Sequence, residues 1–226
     1  MPIATQPSLS ASPRAPLNRE RVLRAALDLA DEGGIESLTM RRLGQALQVE
    51  AMSLYNHIAG KDDILDGIVD LVFSEITVPS DIADWKTAMR LRAISSRDVL
   101  TRHPWATSLM QSRTKPGPST LRHHDAVIGS LRKAGFTIDM AAHAFSVMDG
   151  YIYGFALQQV NLPSHTPEES AALADSILRE LPADNYPYLA EMIVEHALKP
   201  GYDYAEEFEF GIDLILDGLE GLRQRA

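Results

Sequence analysis

The sequence predicts an all-α fold, and three observations support this prediction. Alternation of apolar and polar residues, which is typical of half-buried strands, is almost absent from the chain. Apolar residues instead recur at intervals of three and four from Asn18 to the C-terminal end, which is the spacing of one helix face. Capping residues, prolines and glycines stand where these periodic segments begin and end. The chain is therefore expected to be a succession of helices joined by short loops.

The boundaries of most helices are marked by residues with known preferences for helix ends. Asn18 and Thr39 suit the N-cap position, because their side-chain oxygens accept hydrogen bonds from the first turn. Gly33-Gly34 and Gly135 stand where glycine commonly terminates a helix. Thr166 is followed by proline and then by two glutamates, which is typical of a capped helix start. The predicted helices cover residues 18–33, 39–47, 50–57, 61–78, 83–102, 104–111, 119–134, 138–160, 167–181, 187–198 and 203–223.

The composition excludes several classes of function. The chain has 226 residues and no cysteine, so it forms no disulfide, iron–sulfur cluster or cysteine-ligated zinc site. It has no apolar run long enough to span a membrane and no secretory leader, so we expect a cytoplasmic protein without a membrane partner. It has no nucleophile–base motif, glycine-rich phosphate loop or His-x3-His pair, so we expect no enzymatic activity, no metal site and no cofactor.

The charge distribution separates the first quarter of the chain from the rest. The net charge is −10, which disfavours nucleic-acid binding by the chain as a whole. Residues 1–60, however, contain six basic and six acidic residues, so all the excess acid lies beyond them. Residues 1–17 are predicted to be a disordered basic arm rich in proline, serine and alanine. The N-terminal part is thus the part in which DNA binding is permitted.

Residues 18–62 have the organisation of a helix-turn-helix DNA-binding domain. Two short helices joined by a tight link follow a longer first helix, as this motif requires. By spacing alone, the same pattern is common in other helical proteins. A helical protein–protein adaptor without sequence-specific DNA binding is therefore the alternative interpretation, and a helical enzyme that acts on a small molecule is a third.

The residues themselves favour the DNA-binding interpretation. The segment ALDLADEGGIESLTMRRLGQALQVEAMSLYNHIAGKDDIL, residues 26–65, resembles the DNA-binding domain of the tetracycline-repressor (TetR) family of bacterial transcription regulators. The segments HPWATSLM, GYIYGFALQQ and FEFGIDLILDGL more weakly resemble the ligand-binding domain of the tetracycline-repressor type. This resemblance implies a ligand-responsive regulator, a repressor, that binds a palindromic operator in double-stranded DNA as a homodimer. Residues 63–226 would then form the helical ligand-binding and dimerisation domain.

The second short helix of such a motif enters the major groove with its N-terminal residues against the base edges. Arg41 is the strongest base-reading candidate, because arginine pairs bidentately with guanine. Met52 is suited to a thymine methyl group, with core packing as the alternative. The resemblance implies phosphate contacts for Tyr55, His57 and Lys61. The candidate DNA-binding residues are Thr39, Arg41, Ala51, Met52, Ser53, Tyr55, Asn56, His57 and Lys61.

One position departs from the family pattern. The family usually has glycine in the link between the two short helices, where this chain has Gln48. A residue with a side chain that adopts a positive φ costs about 1 kcal/mol. Either Gln48 tolerates this conformation or the link has a different geometry.

Two apolar stripes predict the dimer interface. The final helix has apolar residues at intervals of four and three, as in a coiled-coil seam, and helix 138–160 has a similar stripe. The resemblance implies that these helices pair with their copies in a four-helix bundle. The alternative is that both stripes face the core of the same chain. The candidate interface residues are Phe145, Ile152, Phe208, Ile212, Ile215, Leu219 and Leu222.

A cavity for a small apolar effector is expected between helices 83–111 and 138–160. Large apolar side chains with a few polar groups suit such a site, although each of them also suits a core. Of the histidines, His123 and His124 are adjacent and cannot both face one cavity. The family's namesake binds a magnesium–tetracycline complex through His and Glu side chains, and His103 is the nearest candidate here. The candidate lining residues are Trp85, Met89, His103, Trp105, Leu109, Met110, Met148, Tyr151 and Phe155.

Overall fold

A computed structural model describes residues 16–79, 82, 84–163 and 166–225. Within these ranges the chain is helical and contains no strand, so the all-α prediction is confirmed. No helix in the described part is long and apolar enough to cross a membrane. The predicted arm falls almost entirely on residues 1–15, which lie outside the described residues. The helices are α1 (Arg19–Gly33), α2 (Met40–Leu47), α3 (Ala51–Leu54), α4 (Lys61–Glu75), α5 (Trp85–Arg102), α6 (Ala106–Ser112), α7 (Pro118–Lys133), α8 (Ile138–Val160), α9 (Pro167–Glu180), α10 (Pro187–Met192) and α11 (Tyr204–Arg223).

The predicted capping residues occupy the N-cap positions. The Asn18 side chain accepts a hydrogen bond from the backbone N–H of Arg21 at 2.9 Å. The Thr39 and Thr166 hydroxyls each accept one from the backbone N–H three residues further on, at 3.2 Å. Each cap satisfies an N–H group that has no partner within its helix, and this is why these sequence positions start helices.

The third helix is shorter than the predicted range of residues 50–57. It covers Ala51–Leu54, and residues 55–57 continue as turns. The backbone N–H of His57 donates to the carbonyl of Leu54 at 2.9 Å, three residues back rather than four. The chain is thus wound more tightly after Leu54 than in an α-helix, which explains the earlier end.

Helices α1 to α3 and the first half of α4 form the N-terminal domain. Their buried residues include Val22, Leu43, Leu54 and Ile64, which share one core. A Cβ added to Gly67 on α4 would lie 2.5 Å from Leu23 on α1, so α1 and α4 approach each other more closely than a side chain at position 67 allows.

Helix α4 also belongs to the second domain. Val72 and Phe73 in its second half are buried, and α4 packs against α7 and α6 as well as against α1. The boundary predicted between residues 62 and 63 therefore falls inside a continuous helix. Any displacement of α4 moves residues of both domains.

The larger domain is built on α5, α8 and α11, which pack against one another along their lengths. Met89, Leu100, Met148 and Phe208 are fully buried there. Helix α9 packs mainly on the π-helical turn Ile193–Ala197 that follows α10. The predicted helices of this domain agree with the structure to within a few residues.

Candidate nucleic-acid interface and ligand cavity

The link between α2 and α3 is a Schellman turn. Gln48 adopts the left-handed conformation, with φ 58° and ψ 44°. The Val49 N–H donates to the carbonyl of Gly44 at 2.9 Å, and the Gln48 N–H donates to that of Gln45 at 3.1 Å. This pattern is the usual end of a helix that terminates on glycine. Gln48 therefore tolerates the conformation that glycine adopts in the family pattern.

The position of α3 depends on a glycine in α2. A Cβ added to Gly44 would lie 2.9 Å from the Val49 carbonyl oxygen and 3.3 Å from the backbone of Ala51. Any side chain at position 44 would therefore push α3 away from α2. The absence of a side chain at Gly44 and the left-handed residue at Gln48 together set the angle at which α3 leaves α2.

Helix α3 and the turns after it present their polar and flexible side chains to solvent. Met52 is 75% exposed, which excludes the alternative that it packs in the core. Leu54 and Ile58 are buried on the opposite side and belong to the hydrophobic core that the segment shares with the other helices of the domain. None of the nine candidate DNA-binding residues is buried: Thr39, Arg41, Met52, Tyr55, Asn56 and Lys61 are exposed, and Ala51, Ser53 and His57 are half-buried.

Two pairs of basic residues in this domain differ in whether a carboxylate neutralises them. Arg19 forms a two-bond ion pair with Asp63, at 2.8 Å for each bond, and Arg24 pairs with Glu20 at 2.7 Å. Within the described residues, Arg41 and Lys61 have no hydrogen bond or ion pair and are exposed. Their positive charges are not compensated by a neighbouring carboxylate, so they are available for base edges or phosphates.

A cavity of about 540 Å³ lies in the second domain, between α4, α6, α7 and α8. Its volume is in the range of sites for small molecules. Most of its wall is apolar or aromatic, and its charged groups come from α4, from α8 and from the loop between α6 and α7. The lining residues are Asp66, Val69, Phe73, Met110, Gln111, Arg113, Lys115, Pro116, Gly117, Thr120, His124, Phe145, Ser146, Asp149, Gly150 and Tyr153.

Three aspartates of α4, at intervals of four residues, bind the α6–α7 loop and the start of α7 at one wall of the cavity. Arg113 donates to Asp66 at 2.5 Å and to Asp62 at 3.1 Å. Asp70 accepts hydrogen bonds from the backbone N–H and the hydroxyl of Thr120, at 2.8 and 3.0 Å. Residues four apart share one helix face, so α4 presents a continuous acidic stripe to the α6–α7 loop.

A buried polar cluster lies behind the opposite wall. Arg92 is fully buried and donates to Asp149 at 2.5 Å, and Tyr153 donates to the other oxygen of Asp149 at 3.2 Å. The Arg92 guanidinium also lies 3.1 Å from Nε2 of His123. Burial and the nearby Arg92 charge lower the pKa of His123 to about 3, so its imidazole is neutral. Burial also lowers the pKa of His124, which lines the cavity.

Comparison with known proteins identifies the family. Residues 22–68 match the model for bacterial regulatory proteins of the tetR family, and residues 78–223 match the tetracyclin repressor-like C-terminal domain. A relative at 33% identity over 94% of this chain and 81% of its own length is the HTH-type transcriptional repressor DrrR1 of Streptomyces coeruleorubidus. The chain belongs to the TetR family. It is a ligand-responsive transcriptional repressor that binds operator DNA, and it works as a homodimer.

Two further relatives match this TetR-family repressor over most of its length. The tetracycline repressor protein class C of Escherichia coli is 28% identical over 92% of both chains. The structure of the Streptomyces coelicolor TetR-family protein ActR in complex with actinorhodin is 28% identical, has a TM-score of 0.75 and covers 92% of this chain and 99% of its own. Both domains are therefore shared, including the ligand-binding one.

The cavity of this TetR-family repressor is formed by residues that differ from the predicted ones. Of the nine expected lining residues, Met110 lines it. Met89 and Met148 are fully buried in the α5–α8–α11 core. Leu109 packs against the core without lining the cavity, and Trp85 packs edge-on against Phe136.

The remaining four expected lining residues make other contacts. Tyr151 and Phe155 each stack on an aromatic ring of α11, at 5.5 and 5.0 Å. His103 and Trp105 donate to Asp31 on α1, at 2.8 and 2.7 Å, and so join the two domains. The cavity lies one layer away from the predicted position, against α4 and α7. The acidic stripe of α4 and the basic loop at residues 113–115 were the sequence signals for it.

The candidate dimer residues also need a correction. Ile152, Phe208, Ile212 and Leu219 are at most 6% exposed in the single chain, because they form the core between α8 and α11. They are not accessible to a second chain in this conformation. Phe145 lines the cavity, Ile215 is half-buried and Leu222 is half-exposed. The exposed apolar residues of the two helices lie on the next face and include Val147, Leu157, Phe210 and Leu214.

Within the described residues, no group of three or more His, Asp or Glu side chains is placed to hold a metal ion. His103, the candidate suggested by the magnesium–tetracycline complex, lies between Asp31 and Glu75. It is nearly buried at the domain junction and does not line the cavity.

Proposed function

We propose that this repressor binds a palindromic operator as a symmetric homodimer and that a small aromatic effector in the α4–α7–α8 cavity weakens this binding. One observation carries the proposal. Helix α4 begins with Lys61 at the DNA-binding surface and contributes Asp66, Val69 and Phe73 to the cavity wall. An effector that displaces α4 therefore displaces a DNA-contacting residue.

In this proposal the exposed residues of the N-terminal domain divide into two groups. Arg41, Ala51, Met52, Ser53 and Asn56 read base edges in the major groove, since they lie at the starts of α2 and α3 and in the turn after α3. Thr39, Tyr55, His57 and Lys61 contact phosphates and set the orientation on the duplex.

The homodimer uses the exposed apolar face of α8 and α11. Phe210 and Leu214 are 71% and 64% exposed on α11, and Val147 and Leu157 are about half exposed on α8. Large apolar side chains this exposed are typical of an interface. Two copies related by a two-fold axis place their reading helices in successive major grooves, with half-site centres about 34–36 Å apart.

The effector couples to DNA through the ties between the α6–α7 loop and α4. Arg113 and Thr120 hold the acidic stripe on α4. An effector shifts the equilibrium only by its differential affinity for two positions of α4, with a coupling of about 1–3 kcal/mol. ActR, whose structure in complex with actinorhodin matches this chain, shares this domain. Because this cavity has an aromatic wall, we propose an aromatic effector here.

The proposal includes no catalytic activity and no resident metal or cofactor. The family model, which describes regulatory proteins, supports this part. We also propose that the protein acts in the cytoplasm, where bacterial operators are located.

The direct test begins with selection of genomic fragments by the full-length protein, followed by fluorescence anisotropy on the selected operator at several salt concentrations. Arg41→Ala should cost about 1–3 kcal/mol on the operator and less on random DNA. Lys61→Ala should weaken both equally and reduce the salt slope by about one. Arg179→Ala on α9, an exposed arginine far along the chain from this domain, is the matched control.

The proposed roles fail if Arg41→Ala and Lys61→Ala have equal effects on operator and random DNA. The regulatory part is tested separately, by calorimetry of an aromatic effector with and without operator. Thermodynamic linkage is reciprocal, so the operator must weaken effector binding by the same factor as the effector weakens operator binding. Equal effector affinities in the two titrations would contradict the regulatory proposal.

A further inference from the structure

One residue of the cavity wall combines partial burial with an unused capacity for hydrogen bonds. His124 on α7 lines the cavity and is half-buried, and within the described residues neither of its ring nitrogens forms a hydrogen bond. We propose that His124 determines the specificity of this site by binding a hydroxyl group on an uncharged aromatic effector. The inference rests on the proposed function, in which this cavity holds the effector.

The other uncharged polar side chains of the wall are either paired or exposed. The hydroxyls of Thr120 and Tyr153 already donate to aspartates, at 3.0 and 3.2 Å. Gln111 and Ser146 are exposed, so water competes with a ligand for their polar groups. Of the uncharged polar side chains that line the cavity, His124 is therefore the one that is both partly shielded from water and without a hydrogen bond.

The charged groups of the wall do not select an ion. Arg113 and Lys115 are positive and Asp66 and Asp149 are negative, so the formal charges of the lining residues cancel. Arg113 is bonded to Asp66 at 2.5 Å, and a buried arginine behind the wall is bonded to Asp149. Lys115 is exposed, and its charge acts on an aspartate of α4, whose pKa it helps to lower. An ion that left water for this cavity would find no free counter-charge, so the wall favours an uncharged effector.

Two phenylalanines hold the ring of His124 in the wall. The rings of Phe73 on α4 and Phe145 on α8 lie 5.5 and 5.2 Å from the ring of His124, at nearly right angles to it. Such edge-to-face contacts are the favoured arrangement of aromatic rings. The three rings form one aromatic wall, and an aromatic body that packs on this wall brings its substituents within reach of the His124 nitrogens.

The protonation state of His124 determines which substituent fits. Burial lowers the pKa of His124, so its imidazole is neutral at pH 7, with one nitrogen that donates and one that accepts. A hydroxyl group can pair with either nitrogen because it both donates and accepts, whereas a carbonyl group only accepts. The carboxylate of Asp149, whose charge acts on His124, is also an acceptor in the same wall and favours a ligand group that carries a proton.

The test compares 2-naphthol with 2-methylnaphthalene on the full-length protein at pH 7. The two probes are nearly equal in size and uncharged, and they differ in whether the ring system carries a hydroxyl or a methyl group. Calorimetry gives both dissociation constants, and competition between the probes shows that they occupy one site. The measured quantity is the affinity for 2-naphthol divided by the affinity for 2-methylnaphthalene, because changes in the fit of the ring system cancel in this ratio.

Three variants separate the hydrogen bond from the packing of the ring. His124→Phe keeps an aromatic ring and removes both nitrogens, so it should lower the ratio about three- to tenfold, as expected for one neutral hydrogen bond. His124→Gln loses the ring and keeps a donor and an acceptor, so it should leave the ratio within about twofold of the wild-type value. Asp125→Asn is the matched control and should not change the ratio, because Asp125 is the next residue of α7, is exposed and does not line this cavity.

The inference is overturned if His124→Phe leaves the ratio unchanged, or if His124→Gln or Asp125→Asn lowers it as much as His124→Phe does. These outcomes are separable from failure of the proposed function. If the ratio depends on His124 but no aromatic compound alters operator affinity, His124 recognises the hydroxyl group and the regulatory role fails. If both probes weaken operator binding while the ratio is the same in His124→Phe and wild type, the regulatory role stands and the inference about His124 fails.

Discussion

Asp31 on α1 connects the DNA-binding domain to the ligand-binding domain, and its replacement tests how much this connection contributes to stability. Its Oδ1 accepts hydrogen bonds from Nε1 of Trp105 at 2.7 Å and Nδ1 of His103 at 2.8 Å. Both donors are nearly buried, with 8% and 6% exposure. The Asp31→Ala variant removes the acceptor and leaves the indole N–H without a partner.

The expected loss of stability follows from these contacts. A buried donor without a partner costs about 1–3 kcal/mol, and two donors are affected. The Asp31 side chain is 29% exposed, so water partly screens its charge and can replace part of the contact. His103 also keeps its contact with Glu75 at 3.3 Å. We therefore expect Asp31→Ala to lower the free energy of unfolding by about 2–3 kcal/mol, and Asp31→Asn, which keeps an acceptor oxygen, by about half as much.

Urea unfolding followed by circular dichroism measures this change at a fixed protein concentration. Asp28→Ala is the matched control, because Asp28 lies on the same helix, is exposed and forms no hydrogen bond or ion pair within the described residues. We expect this control to lie within about 0.5 kcal/mol of the wild type. If Asp31→Ala and Asp28→Ala unfold at the same urea concentration, the two hydrogen bonds do not stabilise the domain junction and the reasoning is wrong.

Three further predictions concern the turn, the buried histidine and the dimer. In the α2–α3 turn, Gln48→Gly should raise the free energy of unfolding by up to about 1 kcal/mol, because glycine adopts the left-handed conformation without strain. Gly44→Ala should instead reduce operator affinity, because the added methyl group displaces α3. Equal operator affinity of Gly44→Ala and wild type would refute this. Burial lowers the pKa of His123 to about 3 in the folded protein. As the pH falls, this imidazole is therefore protonated in the unfolded chain before it is protonated in the folded one. The free energy of unfolding should therefore fall by about 2 kcal/mol between pH 7 and pH 5. His123→Gln, which keeps an acceptor for Arg92, should remove this part of the pH dependence of stability, as measured by urea titrations at both pH values. Phe210→Glu should raise the dimer dissociation constant at least about 100-fold, since each copy loses a buried ring, and analytical ultracentrifugation that finds an unchanged dimer would exclude this face.

The local features of this protein were predictable from the sequence. Asn18, Thr39 and Thr166 cap helices at the predicted positions because each cap is formed within three residues of chain. The adjacent pair at residues 123 and 124 was expected to face different environments. His123 points to Arg92 and His124 lines the cavity, as the roughly 100° rotation between successive helical residues requires.

The cavity and the dimer face depended on contacts between residues far apart in the sequence. A periodic stripe identifies the residues that share a helix face, but it does not show whether that face meets another helix of the same chain, a second chain or a ligand. Phe208 and Ile212 satisfied the spacing of an interface and instead lie in the core.

The polar residues show the same division between sequence and tertiary structure. His103 and Trp105 were expected at a ligand site because histidine and tryptophan suit one, but their partner is Asp31, more than 70 residues earlier in the chain. The sequence by itself determined the order of the helices and the caps that start them, since these depend on neighbours along the chain, whereas it left the turn at Gln48 open. The tertiary structure alone decided which side chains line the cavity, because the packing of α4 against α6 and α7, and of these two helices against α8, creates that space.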